Sequence, residues 1–149
     1  DFDFDKVLEQ SKENPVFYVQ YAHARVCSVL RKAEAAGIDV SDATLSATDI
    51  SGLTHEAELA VAKKLAEWPR LVEIAARTHE PHRVAFYLYD LASELHALWN
   101  RGNDDQSLRF VQDGDSATSQ AKIALVRAVG VVISAGLGIL GVPPVEEMR

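Results

Sequence analysis

Five aliphatic residues, Val84, Leu88, Leu91, Leu95 and Leu98, recur at spacings of +4, +3, +4 and +3. A strand cannot put all five on one side, because its side chains alternate faces residue by residue. A helix of about 3.6 residues per turn gathers them into one stripe. No stretch of the chain alternates convincingly at period two, and no hairpin signal appears. The chain therefore reads as all-α, a helical bundle of five or six helices, three of them long. Its 149 residues make one domain, 1–149, and a hydrophobic content of 48% is enough for a sizeable core.

Helix boundaries follow from local chemistry. Asn14 offers a side-chain oxygen to the first-turn amides, and Pro15 fits the first helical position. That helix runs to a left-handed cap at Gly37 and turns Val16, Val19, Val26, Leu30 and Ala33 inward. Residues 1–13 read as the end of a helix continuing from a preceding domain. After a Ser- and Thr-rich loop, Thr54 caps a helix to about Trp68, and Pro69 opens Arg70 to His79. Pro81 opens the helix carrying the aliphatic stripe, and Gly102 ends it. Residues 101–116 form a polar loop that Leu108, Phe110 and Val111 tack to the body. The last helix runs from about Ala117 to Ala135 or beyond, broken by Gly136, Gly138 and Gly141 and stopped by Pro143-Pro144. Val19, Leu30, Leu88, Leu91, Leu95, Val126 and Val129 are expected in one core.

A second stripe on the first helix carries chemistry. Tyr21, Arg25, Ser28 and Lys32 are spaced +4, +3 and +4 and so line one side. An aromatic ring beside two cations suits nucleic acid, where the ring stacks on an unpaired base and the cations meet phosphates. The same pattern also describes a solvated boundary stripe, and both readings stand on pattern alone. The net charge of −7 argues against a general nucleic-acid binder. The acids, however, concentrate elsewhere. Residues 14–33 hold Arg25, Arg31 and Lys32 with no acid, whereas residues 34–58 hold six acids and no Lys or Arg. One basic face on an acidic chain is therefore available.

Other chemistries fit poorly. The apolar run 123–142 is interrupted by Arg127 and rich in Gly, and reads as a core helix before a membrane span. Pro81 breaks the alignment of His79 and His82 that a metal would need, so no metal site is expected. His23 and His96 read as residues filling polar niches between helices. Single Cys27, inside the first helix, is a small apolar filler and suits a reducing cytoplasm. The acidic start of the chain lacks the cationic region of a signal peptide. No serine elbow, phosphate-binding glycine loop or walled carboxylate pair appears, so no catalytic or cofactor-binding residue is assigned.

The block Asn14-Pro-Val-Phe-Tyr-Val-Gln-Tyr-Ala-His-Ala-Arg25 resembles the opening of the C-terminal, DALR-type anticodon-binding domain of arginyl-tRNA synthetases. Val84 to Asn100 is similar to that family's second signature helix. Ala121 to Met148, with Leu-Gly-Val-Pro-Pro-Val-Glu-Glu-Met, is similar to its closing helix and tail. The three blocks occur in the family's order and cover nearly all of the chain.

The resemblance implies a module that binds the anticodon stem and loop of a tRNA with an arginine anticodon. Its own catalytic domain, a class I ligase, would attach the arginine. The signatures of that catalytic domain are absent here, so ATP and magnesium belong to it and not to this chain. Tyr21 and Arg25 match the family's aromatic and basic pair, Trp99 an aromatic late in the second helix, and Met148 the closing methionine. With Lys32 from the stripe, these are the candidate tRNA-binding residues. Glu147 stands where a basic residue is usual, Lys122 where an Arg is common, and Arg101 to Val111 replaces a Cys-containing connection. A cytoplasmic monomer that binds neither DNA nor membrane is expected. The alternative is a helical protein-interaction domain that takes an acidic partner on the Tyr21 and Arg25 face.

Overall fold

A computed structural model describes residues 14–148, and the helix end expected at 1–13 lies outside them. The described residues form an all-helical bundle. We number the helices α1 (Pro15–Ala35), α2 (Asp42–Ser46), α3 (Glu56–Ala66), α4 (Trp68–Thr78), α5 (His82–Asp104) and α6 (Ser116–Ile139). A short 3₁₀ turn, Gln106–Leu108, lies between α5 and α6. Helices α1, α5 and α6 pack against one another as the heart of the bundle. Helices α3 and α4 cover α5, and α2 lies on α6.

The start of α1 follows its sequence closely. Asn14 Oδ1 accepts hydrogen bonds from the amides of Val16 at 3.0 Å and Phe17 at 3.4 Å. At the other end Gly37 takes φ +81°, and the Ile38 amide donates back to the Ala33 carbonyl at 3.0 Å. Val19, Val26 and Ala33 are buried as expected, and Leu30 packs half-buried against the core. Val16, expected inward, is instead exposed. All five members of the α5 stripe are buried, in one core cluster with Ile123, Val126, Val129, Ile133 and Leu137 of α6. By length and composition α6 could cross a membrane, yet half of its most apolar stretch is buried within the bundle.

Several boundaries move from their sequence positions. The cap of α3 is His55 and not Thr54. His55 Nδ1 accepts from the Ala57 amide at 3.1 Å, and Glu58 Oε2 accepts from the His55 amide at 3.4 Å. Helix α5 passes through Gly102 to Asp104, and Gly102 is buried beside the Leu108 carbonyl. Gly136 and Gly138 lie inside α6, and only Gly141, at φ +72°, ends it. Gly136 is there for close contact. A Cβ on it would lie 2.6 Å from Leu88 Cδ2, and one on Gly130 would lie 2.7 Å from Val26 Cγ1.

Two ion pairs tie surface elements to α6. Arg127 donates from both Nε and Nη2 to the Asp42 carboxylate, at 2.7 and 3.1 Å, fastening α2. Lys122, buried, donates to the equally buried Glu58 of α3. Lys122 thus serves the bundle interior.

Candidate nucleic-acid interface

Beyond Gly141 the chain turns back over α1. Gln20 Nε2 donates to the Pro143 carbonyl at 3.0 Å, and the His23 ring nitrogen Nδ1 bonds the Val145 carbonyl at 2.8 Å. These contacts carry Glu146, Glu147 and Met148 across the basic stripe of α1. The result is an open groove of about 370 Å³ lined by Tyr21, Arg25, Ser28, Arg31 and Lys32 of α1, Trp99 of α5 and that tail. All five candidate residues, Tyr21, Arg25, Lys32, Trp99 and Met148, meet here, although they come from three separate parts of the chain.

Arg25 is the centre of the groove. Its guanidinium carbon lies 4.8 Å from the Tyr21 ring centroid and 4.6 Å from that of Trp99. Nη2 donates to the Tyr21 hydroxyl at 2.9 Å and Nη1 to His96 Nδ1 at 2.8 Å. Two ring contacts and two hydrogen bonds hold the fork before any ligand arrives, which removes part of the ordering cost of binding. Lys32 adds a second cation, with Nζ 5.8 Å from the Trp99 centroid.

The rings continue on both sides. Tyr21 stacks on His96 at 5.4 Å, His96 meets Tyr18 edge-on at 4.8 Å, and Tyr18 leans on Tyr89 at 4.9 Å. On the other side Trp99 tilts against Phe110 at 5.9 Å. Leu108 and Phe110 are buried, so the connection expected to be a polar loop braces Trp99 from behind. It also encloses a second, apolar cleft of about 240 Å³ shared by Trp99 and Lys32.

At the rim, Glu147 lies 3.9 Å from Arg31, with both side chains half exposed or more. This acid is thus set against a cation, in a pair that solvent screens. Cys27 sits beside His23 at 3.8 Å. Burial, and then the Glu146 carboxylate, push its thiol above the usual range, which disfavours the reactive thiolate. Among the described residues no group of three or more His, Cys, Asp or Glu side chains could hold a metal ion.

Sequence reading missed His96 as a member of the site. The signal was present, since His96 lies three residues before Trp99 on one helix face. Phe110 carried no such signal, because its position depends on how the connection folds back.

The family described as the DALR anticodon binding domain matches residues 19–148. A Ruegeria pomeroyi protein named arginine–tRNA ligase is 77% identical over 149 residues, which is 100% of this chain and 26% of that protein. A Paracoccus denitrificans protein of the same name is 69% identical over the same shares. A solved structure of Thermus thermophilus arginyl-tRNA synthetase superimposes with a TM-score of 0.74 at 30% identity, covering 99% of this chain and 23% of that one. The chain spans about a quarter of the length of the curated relatives it matches.

Proposed function

Since the chain belongs to the DALR anticodon-binding domain family, we propose that it binds the anticodon stem and loop of an arginine tRNA in the groove between α1, the end of α5 and the tail. It does so as the tRNA-reading part of a longer arginine–tRNA ligase, a class I enzyme of the cytoplasm. The joining of arginine to tRNA, with its ATP and magnesium, falls to a catalytic domain outside this chain. The observation that carries the reading is the meeting of Tyr21, Arg25, Lys32, Trp99 and Met148 around one open groove.

The division of labour follows from chemistry. Tyr21 and Trp99 offer ring faces to splayed bases, each stack worth about 1–3 kcal/mol. Arg25 presents a planar fork to a phosphate or a base edge. Lys32 meets the backbone as a point charge, and the thioether of Met148 fills an apolar gap beside a base. An acidic protein partner would use the same cations, and the ring faces beside them suit the stacking of splayed bases.

The test is equilibrium binding of the chain to a tRNA with an arginine anticodon, titrated with salt, beside a tRNA with a different anticodon. Preferential, salt-weakened binding supports the reading. Equal affinity for both tRNAs, or none for either, contradicts it.

A further inference from the structure

The connection from α5 to α6 is tied down along its length. Gln112 Nε2 donates to the carbonyls of Gln106 and Arg109 at 2.9 and 2.7 Å, and Ser119 Oγ accepts from the Gln112 amide at 2.8 Å. Arg109 Nε donates to the Gly102 carbonyl at 3.2 Å, fastening the segment to the end of α5. The apolar cleft of about 240 Å³ between this segment and α1 is therefore a built feature of the fold. Trp99 and Lys32 line the cleft and the groove alike. Arg25 lies 4.6 Å from the Trp99 centroid and is a wall of the groove but not of the cleft, so the Trp99 surface in the cleft is not the one Arg25 covers. Taking the RNA-binding reading as its premise, we propose that the cleft is a second base site. It takes one unpaired base of the RNA loop, while the neighbouring base lies in the groove and the phosphate between them meets Lys32.

The lining has the chemistry of a nucleobase site. Trp99 supplies a stacking surface, and Val29, Phe110 and Val111 supply apolar contact around it. Asn103 brings a side-chain amide, a donor beside an acceptor, which matches the adjacent donor and acceptor groups on a base edge. Lys32 and Arg109 are the charged members, and among the described residues no acid lines the cleft. The groove differs, since Glu146 and Glu147 stand there among the cations. A phosphodiester reaching the cleft thus meets positive charge alone, although the whole chain carries −7. The hydrogen bonds along the connection hold these walls in place, which lowers the ordering cost of taking a base. A protein side chain is the other occupant that such walls admit, and it would leave RNA binding indifferent to the cleft.

Paired changes in protein and RNA test this. The RNA is a hairpin carrying an arginine anticodon, either intact or with a single abasic nucleotide at each loop position in turn. Val111→Trp fills the cleft, and Asn103→Ala removes only the amide, from an exposed position. The native chain should lose roughly tenfold or more in affinity at each of two adjacent abasic positions. Val111→Trp should bind the intact hairpin as weakly as the native chain binds one of those two, and should lose nothing further at that position. At the neighbouring position it should still lose as the native chain does, and Tyr21→Ala should show the reverse pattern. Asn103→Ala should lose roughly fivefold, as for one hydrogen bond, coupled to the same position as Val111→Trp. It carries the test alone if Val111→Trp lacks native helical circular dichroism. Folded cleft variants that bind the intact hairpin like the native chain overturn the proposal, as do losses that simply add to those at every abasic position; RNA then uses the groove alone. Failure of the native chain to bind the intact hairpin sinks the RNA reading itself, and the second base site with it.

Discussion

Arg25 is held in place by two rings and two hydrogen bonds, so under the proposed function it meets RNA already ordered. Tyr21 belongs to that arrangement and is also 40% exposed, with ring surface to offer. Tyr21→Ala should weaken hairpin binding roughly tenfold or more, from a stack worth about 1–3 kcal/mol together with a loosened Arg25. Circular dichroism should stay native, and unchanged affinity in a folded variant would remove Tyr21 from the interface. The other residue that matters singly is far from the groove. Lys122 and Glu58 are both buried and paired, so truncating one strands the other. Lys122→Met should cost about 3–5 kcal/mol in denaturant unfolding, and adding Glu58→Leu should recover most of it. This pair was illegible in the sequence. Its members are 64 positions apart, and by position along the chain Glu58 is an ordinary first-turn acid.

At the level of elements, local chemistry was readable and close approach was not. The Asn14 cap and the α5 stripe needed only neighbours along the chain. Gly136 looked like a helix breaker because sequence shows a missing side chain without showing Leu88 pressed into the space. Gly136→Ala should therefore destabilise by about 1–3 kcal/mol through overpacking, although Ala is intrinsically the better helix former. A gain in thermal stability would show that α5 and α6 can move apart freely. The start of α6 depends on Asp115, whose Oδ1 accepts from the Thr118 amide at 2.9 Å and whose Oδ2 accepts from the Thr118 hydroxyl at 2.6 Å. The Thr118 side chain first, and then its amide, hold this carboxyl below the usual range. The folded chain thus binds the proton less readily than the unfolded chain. The cap's contribution is full above the unfolded pKa of about 3.9 and is lost as pH falls through the lower folded value. Asp115→Asn keeps an acceptor without the titration. It should reduce the acid-induced loss of stability, and an unchanged acid profile would show that this cap is not part of it.

Over the whole molecule, three segments distant in sequence build one face, with the bundle as their scaffold. Tyr21, Arg25 and Lys32 were readable as neighbours from helical spacing. Trp99 and Met148 joined them through the family resemblance. The physical reason they arrive there became visible only in the fold, where Pro143 and Val145 are tied to α1 and Phe110 braces Trp99. The two tryptophans make this arrangement measurable. Trp99 borders the groove, whereas Trp68 lies at the start of α4 against Tyr87 at 5.3 Å. Chemical-shift mapping with an arginine-anticodon hairpin is the most direct test that the groove is the RNA site. The indole N–H of Trp99, the Arg25 side-chain N–H and the Met148 methyl should move together on titration, while the Trp68 indole stays fixed. Movement of Trp68 with Trp99 and Met148 unmoved would place the RNA on another face and contradict the account.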